Sequence, residues 1–315
     1  MTDAFAGKVV ALSGGIGGAK LTLGLDRVLA PGQLTVIANT GDDFRHLGLH
    51  VSPDIDTLLY TLAGLDDPVR GWGRRDETWT FMAALEQLGG ETWFRLGDGD
   101  LAVHVERTRR LAAGATLSEV TDDLRRTLGI GSAIIPMSDA PVRTQVETDE
   151  GWYDFQHYFV CHQCRPRVVG LEFAGAPAAT LAPAAEAALA DPELAAIVIC
   201  PSNPYLSVDP ILAVPGLRAA IGACRVPVIA VSPIIAGQAV KGPTAKMMTE
   251  LGLVPSAATV AAHYDGLIDV FIVDEADSGL EVPGLSVVSA PTLMRSLDDK
   301  IALARHVLAQ ARPGA

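Results

Sequence analysis

The 315-residue chain is short of positive charge. It has 24 Lys and Arg against 37 Asp and Glu, a formal net charge of −13 at pH 7, and no long basic run. A nucleic-acid binder relies on Lys and Arg to displace counterions from phosphates, so nucleic acid is not expected as a partner. Cysteine is scarce as well: Cys161, Cys164, Cys200 and Cys224 are too few and too scattered for a disulfide scaffold. No stretch approaches the roughly 18 uninterrupted apolar residues of a membrane span. The opening MTDAFAGKVVALSGG lacks the basic start and the longer apolar region of a signal peptide. Internal repeats, low-complexity tracts and flexible linkers are also missing. The expectation is a reduced, cytoplasmic protein with no membrane contact.

What is present is alternation. Lys8 to Ser13 and Leu34 to Ala38 are short apolar runs, and the segment between them has helical spacing at Leu21, Leu23, Leu25 and Val28. Short strands that are apolar on both faces, separated by helices, predict a parallel sheet covered on both sides. A charged, mostly helical region follows, with ETWTFMAALEQLG, LAVHVERTRRLAAG and TLSEVTDDLRRTLG. VRTQVET, GWYDFQHYFV and RVVGLEF read as strands, and the Ala-rich segment 173–190 as surface helix and loop. AAIVICPSNP and VPVIAVSPII restore the α/β pattern, with Val270 to Val273 as the final strand and a terminal helix from about Leu297. The predicted fold is α/β: a Rossmann-like parallel sheet with helices on both faces, one domain over 1–315, and a mostly helical insertion at about 57–130.

In open parallel sheets, ligands bind outside the carboxyl ends of the strands. Here those ends deliver SGGIGGAK, NTGDD, PSNPYLS and SPIIAGQAVKG, all rich in Gly, Ser, Asn, Asp or Lys. One site built from four loops is the economical reading. The first loop follows a strand and opens a helix, where backbone N–H groups hold phosphate. It is not a Walker A loop, because Ala19 precedes Lys20 and Leu21 follows it. It is also a poor dinucleotide fingerprint, since Lys20 stands where a third glycine belongs. Gly14, Gly15, Gly17, Gly18 and Lys20 are phosphate-binding candidates; a Gly-rich turn without a ligand is the plainer alternative.

The acidic second loop places Asp42, Asp43, Asp54 and Asp56 within a short span. Ser52 suits an N-cap and Pro53 a first helical position, so Asp54 falls in the first helical turn, where the dipole alone explains it. Residues two apart on a helix do not share a face. Asp54 is therefore assigned to the dipole, and Asp56 to the site, paired with Asp43 across the loop. Carboxylates beside a phosphate loop repel a phosphorylated substrate unless a cation sits between them, and Mg²⁺ fits that chemistry. A solvated turn plus a dipole residue is the alternative.

The succession SGGIGGAK, ANTGDDF…SPDIDTLLYTL, GWGRRDETW, LGDGDLAVH, PMSDAPV, FQHYFV, PSNPYLSVDPILAVPG and SPIIAGQAVKGP resembles the 2-phospho-L-lactate transferase (CofD-like) family over nearly the whole chain. That resemblance implies a Mg²⁺-dependent enzyme of coenzyme F420 biosynthesis. It would move a phospho-linked three-carbon acid from a guanosine diphosphate conjugate to the terminal ribityl hydroxyl of the deazaflavin Fo, releasing GMP. The acid is left open among phosphoenolpyruvate, phospholactate and 3-phosphoglycerate. The resemblance implies metal contact by Asp43 and Asp56, Fo contact by Asp56 and Arg95, and nucleotide-side contacts at Ser202, Asn203, Ser232, Lys241 and Gly242. It also suggests a homodimer. The chain departs from the family at Gly99, where many relatives carry Arg. Direct in-line attack is expected, with Asp43 and Asp56 as the catalytic carboxylates; no nucleophile constellation is evident.

Other signals are read plainly. Cys161 and Cys164, with His157 and His162 close by, suggest zinc only weakly: neither Cys200 nor Cys224 brings a second Cys-x-x-Cys, and a strand over 152–160 would split the candidates between two faces. His46, His50 and His104 are read as structural or solvated, and Trp72, Trp79 and Trp93 as helix packing, with stacking of one of them on the deazaflavin as the alternative. Two further functions stay in view: a YvcK-like regulator that binds a nucleotide sugar without turning it over, and an NAD(P)-dependent oxidoreductase suggested only by the opening β-α-β unit.

Overall fold

The computed structural model describes residues 5–239 and 242–311. The expected parallel strands form first: β1 (Lys8–Ser13) and β2 (Leu34–Ala38) flank helix α1 (Gly15–Val28). A tight hairpin of β3 (Phe44–His46) and β4 (Leu49–Val51) follows, its turn made by Leu47 and Gly48 with φ of 52° and 78°. The helical region is α2 (Pro53–Leu62), α3 (Thr80–Gln87), α4 (Asp98–Ala112) and α5 (Leu117–Thr127). It links β2 to β5 (Ala133–Pro136), which pairs parallel with β2 and was not foreseen as a strand. Strands β6 (Arg143–Thr148), β7 (Gly151–Asp154) and β8 (Val168–Ala174) form a separate antiparallel sheet in the order β7-β6-β8.

The chain then builds the far half of the main sheet. Helix α6 (Pro183–Leu189) precedes β9 (Leu194–Ile199), and α7 (Asp209–Leu212) and α8 (Leu217–Ala223) precede β10 (Val228–Val231). A short hairpin, β11 (Ile234–Ile235) and β12 (Gln238–Ala239), leads to α9 (Thr244–Glu250) and α10 (Ala257–His263). Strand β13 (Val270–Val273) is followed by an edge strand that the sequence reading missed, β14 (Ser286–Ser289), and by α11 (Leu297–Ala309). The main sheet runs β14-β13-β10-β9-β1-β2-β5, every pair parallel. That is the Rossmann-like order, reversing direction between β1 and β9.

The period of two along each strand separates two cores. Val9, Ala11, Val36, Val198 and Ile272 pack on one face with α1, α2 and α11. Val10, Leu12, Ile37, Ile197 and Phe271 pack on the other, with Ile211, Leu217, Ile221 and Val260. Both faces are covered by helices, as the doubly apolar strands required. The Ala-rich segment is not merely surface: Ala176, Ala179, Ala182, Ala185 and Leu189 are buried in the second core.

One further local correction follows from spacing. GWYDFQHYFV is a strand only to Asp154; His157–Cys161 is a π-helical turn. Phe155 and Tyr158 are buried together with Val146, Val168 and Met247, a three-residue spacing that a strand cannot bury on one side. No single helix among the described residues is long and apolar enough to cross a membrane. The bent pair 204–212 and 217–223 is apolar because Val208, Ile211, Leu217 and Ile221 are buried beneath the sheet.

Candidate active site

The point where the strand order reverses opens a crevice in sheets of this kind. The loops after β1 and β9 line it, and their residues interlock. Ser202 Oγ donates to the Gly14 carbonyl (2.8 Å) and accepts from the Gly14 N–H (3.2 Å). Gly15 takes a φ of 64°, which only glycine adopts without strain, and its N–H donates to Asp54 Oδ1 at 2.7 Å. A Cβ on Gly17 would collide with the Pro201 carbonyl, and one on Gly18 would lie 2.5 Å from the hydroxyls of Ser13 and Ser202. The glycines are thus needed for close packing of two loops as well as for any ligand.

A cavity of about 700 Å³ spans this crevice, the size of a small-molecule site. Of the sequence candidates, Gly14, Gly15, Gly17, Lys20, Asp56, Arg95, Ser202, Asn203, Ser232 and Gly242 line it. Gly18 is buried beneath the loop, Asp43 sits behind the wall, and Lys241 lies outside the described residues. Lys20 reaches the Met294 carbonyl at 3.0 Å. Asn203 Oδ1 caps the turn at Pro204–Val208 by accepting from the Tyr205 and Leu206 N–H groups. Its Nδ2 is buried without a partner, a donor held in reserve.

The four aspartates divide into two groups. Asn39 Nδ2 donates to Asp42 Oδ1 (3.1 Å) and Asp54 Oδ2 (2.8 Å), tying these two carboxylates together. Burial, then the Asp54 charge, push the Asp42 carboxyl well above its ordinary range. Burial, aided by Asp43, pushes Asp54 up to about 6 despite the bonds from Asn39 and Gly15. Asp43 Oδ2 accepts from Ser52 Oγ (2.9 Å) and faces His50 Nε2 (3.0 Å), while its Oδ1 is buried without a partner. So Ser52 stands at the N-cap position but its hydroxyl goes to Asp43. Asp42 and Asp54 have raised carboxyls and Asp43 keeps one orphaned oxygen, chemistry that suits a hard divalent cation, although these oxygens are not gathered into one cluster as the ligand atoms of Asp56, Asp100 and His104 are.

Asp56 belongs to a different arrangement. Arg107 Nη1 donates to Asp56 Oδ2 (3.1 Å) and Nη2 bonds Oδ1, with the guanidinium wholly buried. Burial works against that charge, and Asp56, with Asp43 further off, more than restores it. His104 Nε2 lies 3.2 Å from Asp100 Oδ2, and Tyr60 donates its hydroxyl to Asp100 Oδ1 at 2.6 Å. Asp56, Asp100 and His104 offer ligand atoms within 4.8 Å of one another, but a permanently charged guanidinium already neutralises Asp56. The expectation that gave Asp54 to the helix dipole alone is corrected: Asp54 and Asp56 both line the cavity, one turned to the glycine loop and the other to α4. Asp43 bonds Ser52 and His50 while Asp56 bonds Arg107, so no direct contact joins the two. Sequence reasoning missed Arg107 and Asp100 and set aside His104; the spacing Asp100, His104, Arg107 puts all three on one helix face and was the available signal.

The far wall is aromatic. Trp72, Trp93, Phe94, Phe155 and Phe159 line the cavity, with Phe155 and Phe159 stacked at 5.4 Å. The reading of Trp72 and Trp93 as helix packing is therefore corrected, while Trp79 supports the wall from behind, flanked by the guanidinium groups of Arg95 (4.5 Å) and Arg70 (5.0 Å). Arg70, also unforeseen, lines the cavity. The space a side chain at Gly99 would enter is held by Arg74 and Glu77, and Arg74 Nη1 donates to the Gly99 carbonyl at 3.0 Å. Cys161 and Cys164 join no candidate metal cluster among the described residues.

With this geometry in place, the likenesses to known proteins can be weighed. A family profile described as 2-phospho-L-lactate transferase CofD matches residues 9–283. The phosphoenolpyruvate transferase of Kitasatospora aureofaciens is 41% identical, covering 96% of this chain and 98% of its own. Its counterpart in Mycobacterium tuberculosis is 38% identical over 91% and 93%. Among solved structures, a UPF0052-family protein of Bacillus halodurans superposes with a TM-score of 0.63 at 15% identity, covering 96% of this chain and 99% of that one. At that identity the likeness establishes the fold alone.

Proposed function

The chain belongs to the 2-phospho-L-lactate transferase CofD family, and from that premise we propose that it transfers a phospho-linked three-carbon acid from its guanosine diphosphate conjugate to the terminal hydroxyl of the deazaflavin Fo, releasing GMP. The observation that carries this reading is one cavity with three unlike walls: a glycine loop at a helix N-terminus, a set of buried carboxylates and an aromatic face. The names of the relatives favour phosphoenolpyruvate as the acid.

In this reading the glycine loop, Lys20 and the loops at Ser202-Asn203 and Ser232 take the nucleotide side of the donor, and Asn203 Nδ2 supplies an unused hydrogen bond. The planar acceptor lies along Trp72, Trp93 and Phe155, with Arg95 and Asp56 at its edges. Asp42, Asp43 and Asp54 would hold Mg²⁺. Bound there, the ion would offset the charge of the diphosphate bridge and of the leaving GMP. The acceptor oxygen forms a bond to the phosphorus bearing the acid as the bridging P–O bond to GMP breaks, and the hydroxyl proton passes to solvent. Positioning and charge neutralisation do the chemistry, which suits a site with no nucleophile–base pair.

The test is mass spectrometry of Fo incubated with the protein, Mg²⁺ and each of the three guanosine diphosphate donors. An Fo–phospho-acid product plus GMP supports the transferase and names its donor. Tight donor binding with no product and no Fo binding would move the assignment to the non-catalytic nucleotide-sugar binder.

A further inference from the structure

Among the described residues the largest fully buried side chain is Arg107, and the acceptor wall in front of it has chemistry that the transfer reaction has not used. A guanidinium only donates hydrogen bonds. Arg107 Nη1 lies 3.3 Å from His104 Nδ1, so that nitrogen must present its lone pair and the ring proton must sit on Nε2. Nε2 is buried at the cavity wall and has no aligned hydrogen-bond partner; Asp100 Oδ2, at 3.2 Å, is off line. Around this ring stand two carboxylates, Asp100 at Nε2 and Asp56 3.7 Å from Nδ1, with lone pairs left over after Tyr60 and Arg107 are served. The wall therefore alternates donor and acceptor within a few ångströms. An anion is repelled by Asp100, and an apolar group leaves the His104 N–H and the spare carboxylate lone pairs unpaired. A hydroxyl satisfies both kinds at once.

We propose that Asp56, His104 and Asp100 form a subsite for neighbouring hydroxyls of the acceptor's polyol chain, and that Arg107 is its positioning residue, fixing the His104 tautomer and the Asp56 carboxylate. The inference rests on the transferase reading and deepens it: the aromatic wall holds the ring, and this subsite selects acceptors by the chain that carries the reacting oxygen.

The test compares two probes, Fo and an analogue with a methyl group in place of its polyol chain, by fluorescence titration against the full-length protein. His104→Leu, which removes the donor, is expected to weaken Fo binding about tenfold and to leave the analogue unchanged. His104→Gln, which restores an N–H, is expected to recover most of the loss. In steady-state assays Arg107→Met raises KM for Fo several-fold with the donor's KM unchanged, and Arg107→Lys recovers part. Equal loss for both probes in His104→Leu, or none for either, overturns the subsite while leaving the transferase standing. Stoichiometric metal retained by the wild type and lost from His104→Leu overturns it too. If the wild type binds neither probe, the transferase reading falls and takes the subsite with it.

Discussion

Helix α2 carries two aspartates two residues apart, and the fold treats them in opposite ways. Asp56 is met by a buried guanidinium and is neutral as a pair. Asp54 is met by an amide and a backbone N–H, and burial, aided by the Asp43 charge, raises its proton affinity despite those bonds. A protein that buries a charge with its partner attached has built a fixed wall. One that buries several like charges without a partner has left the neutralising group to come from outside. The difference separates a candidate cation site from a substrate-shaping one more sharply than counting acids does, and it predicts that equivalent substitutions will have unlike effects.

The largest expected effect is on stability. Arg107→Met leaves the Asp56 charge buried and unpaired, costing roughly 3–5 kcal/mol. The double variant Arg107→Met/Asp56→Asn should regain most of that, as measured by urea unfolding. A stable single variant would mean the pair does not hold the wall.

On the other side of the helix the effect should be catalytic. Asp54→Asn is expected to lower kcat about 10²- to 10³-fold, on the scale of losing one preorganised electrostatic contact, while the far-ultraviolet circular dichroism stays native. Undiminished Mg²⁺-dependent turnover would remove the carboxylate cluster from the chemistry.

The pH dependence sharpens the contrast further. The folded Asp54 binds its proton more tightly than the unfolded one, with about 6 against 3.8. Metal-free protein should therefore lose stability as pH rises from about 4 to 6, by up to about 3 kcal/mol from this group. Mg²⁺ should raise Tm at pH 7.5 and have little effect at pH 5, where protons hold the carboxyls. Equal Mg²⁺ stabilisation at both would contradict the assignment. The smallest effect belongs to the paired side: Tyr60→Phe removes one donor from Asp100, expected to cost about 1–2 kcal/mol in thermal unfolding.

Strands β1, β2, β9, β10 and β13 were legible because each is apolar on both faces, as a covered parallel sheet demands, whereas the equally apolar β5 was missed. β14 was not, because Ser286 to Ser289 is a short edge strand that is half exposed. The glycine loop and the acidic loop were legible as neighbours through strand-end topology. What spacing within α2 could not give was the direction of each aspartate, since that is fixed by Gly15, Asn39 and Arg107, which lie 39, 15 and 51 residues away in the chain. The cavity-facing Trp72 and Trp93 lie in loops flanking α3, and an aromatic in such a segment looks alike in sequence whether it meets a core or a ligand. Lys241 lies outside the described residues.

Gly24 lies on α1 against the backbone carbonyl of Lys300, where a Cβ would collide, and Leu21 and Leu25 share a core with Leu303, Ala304 and Val307 of α11. α1 and α11 are far apart in the chain, so the apolar face of the helix that opens from the glycine loop is covered only when α11 docks on it. Substitutions in α11 thus act directly on the foundation of the glycine loop.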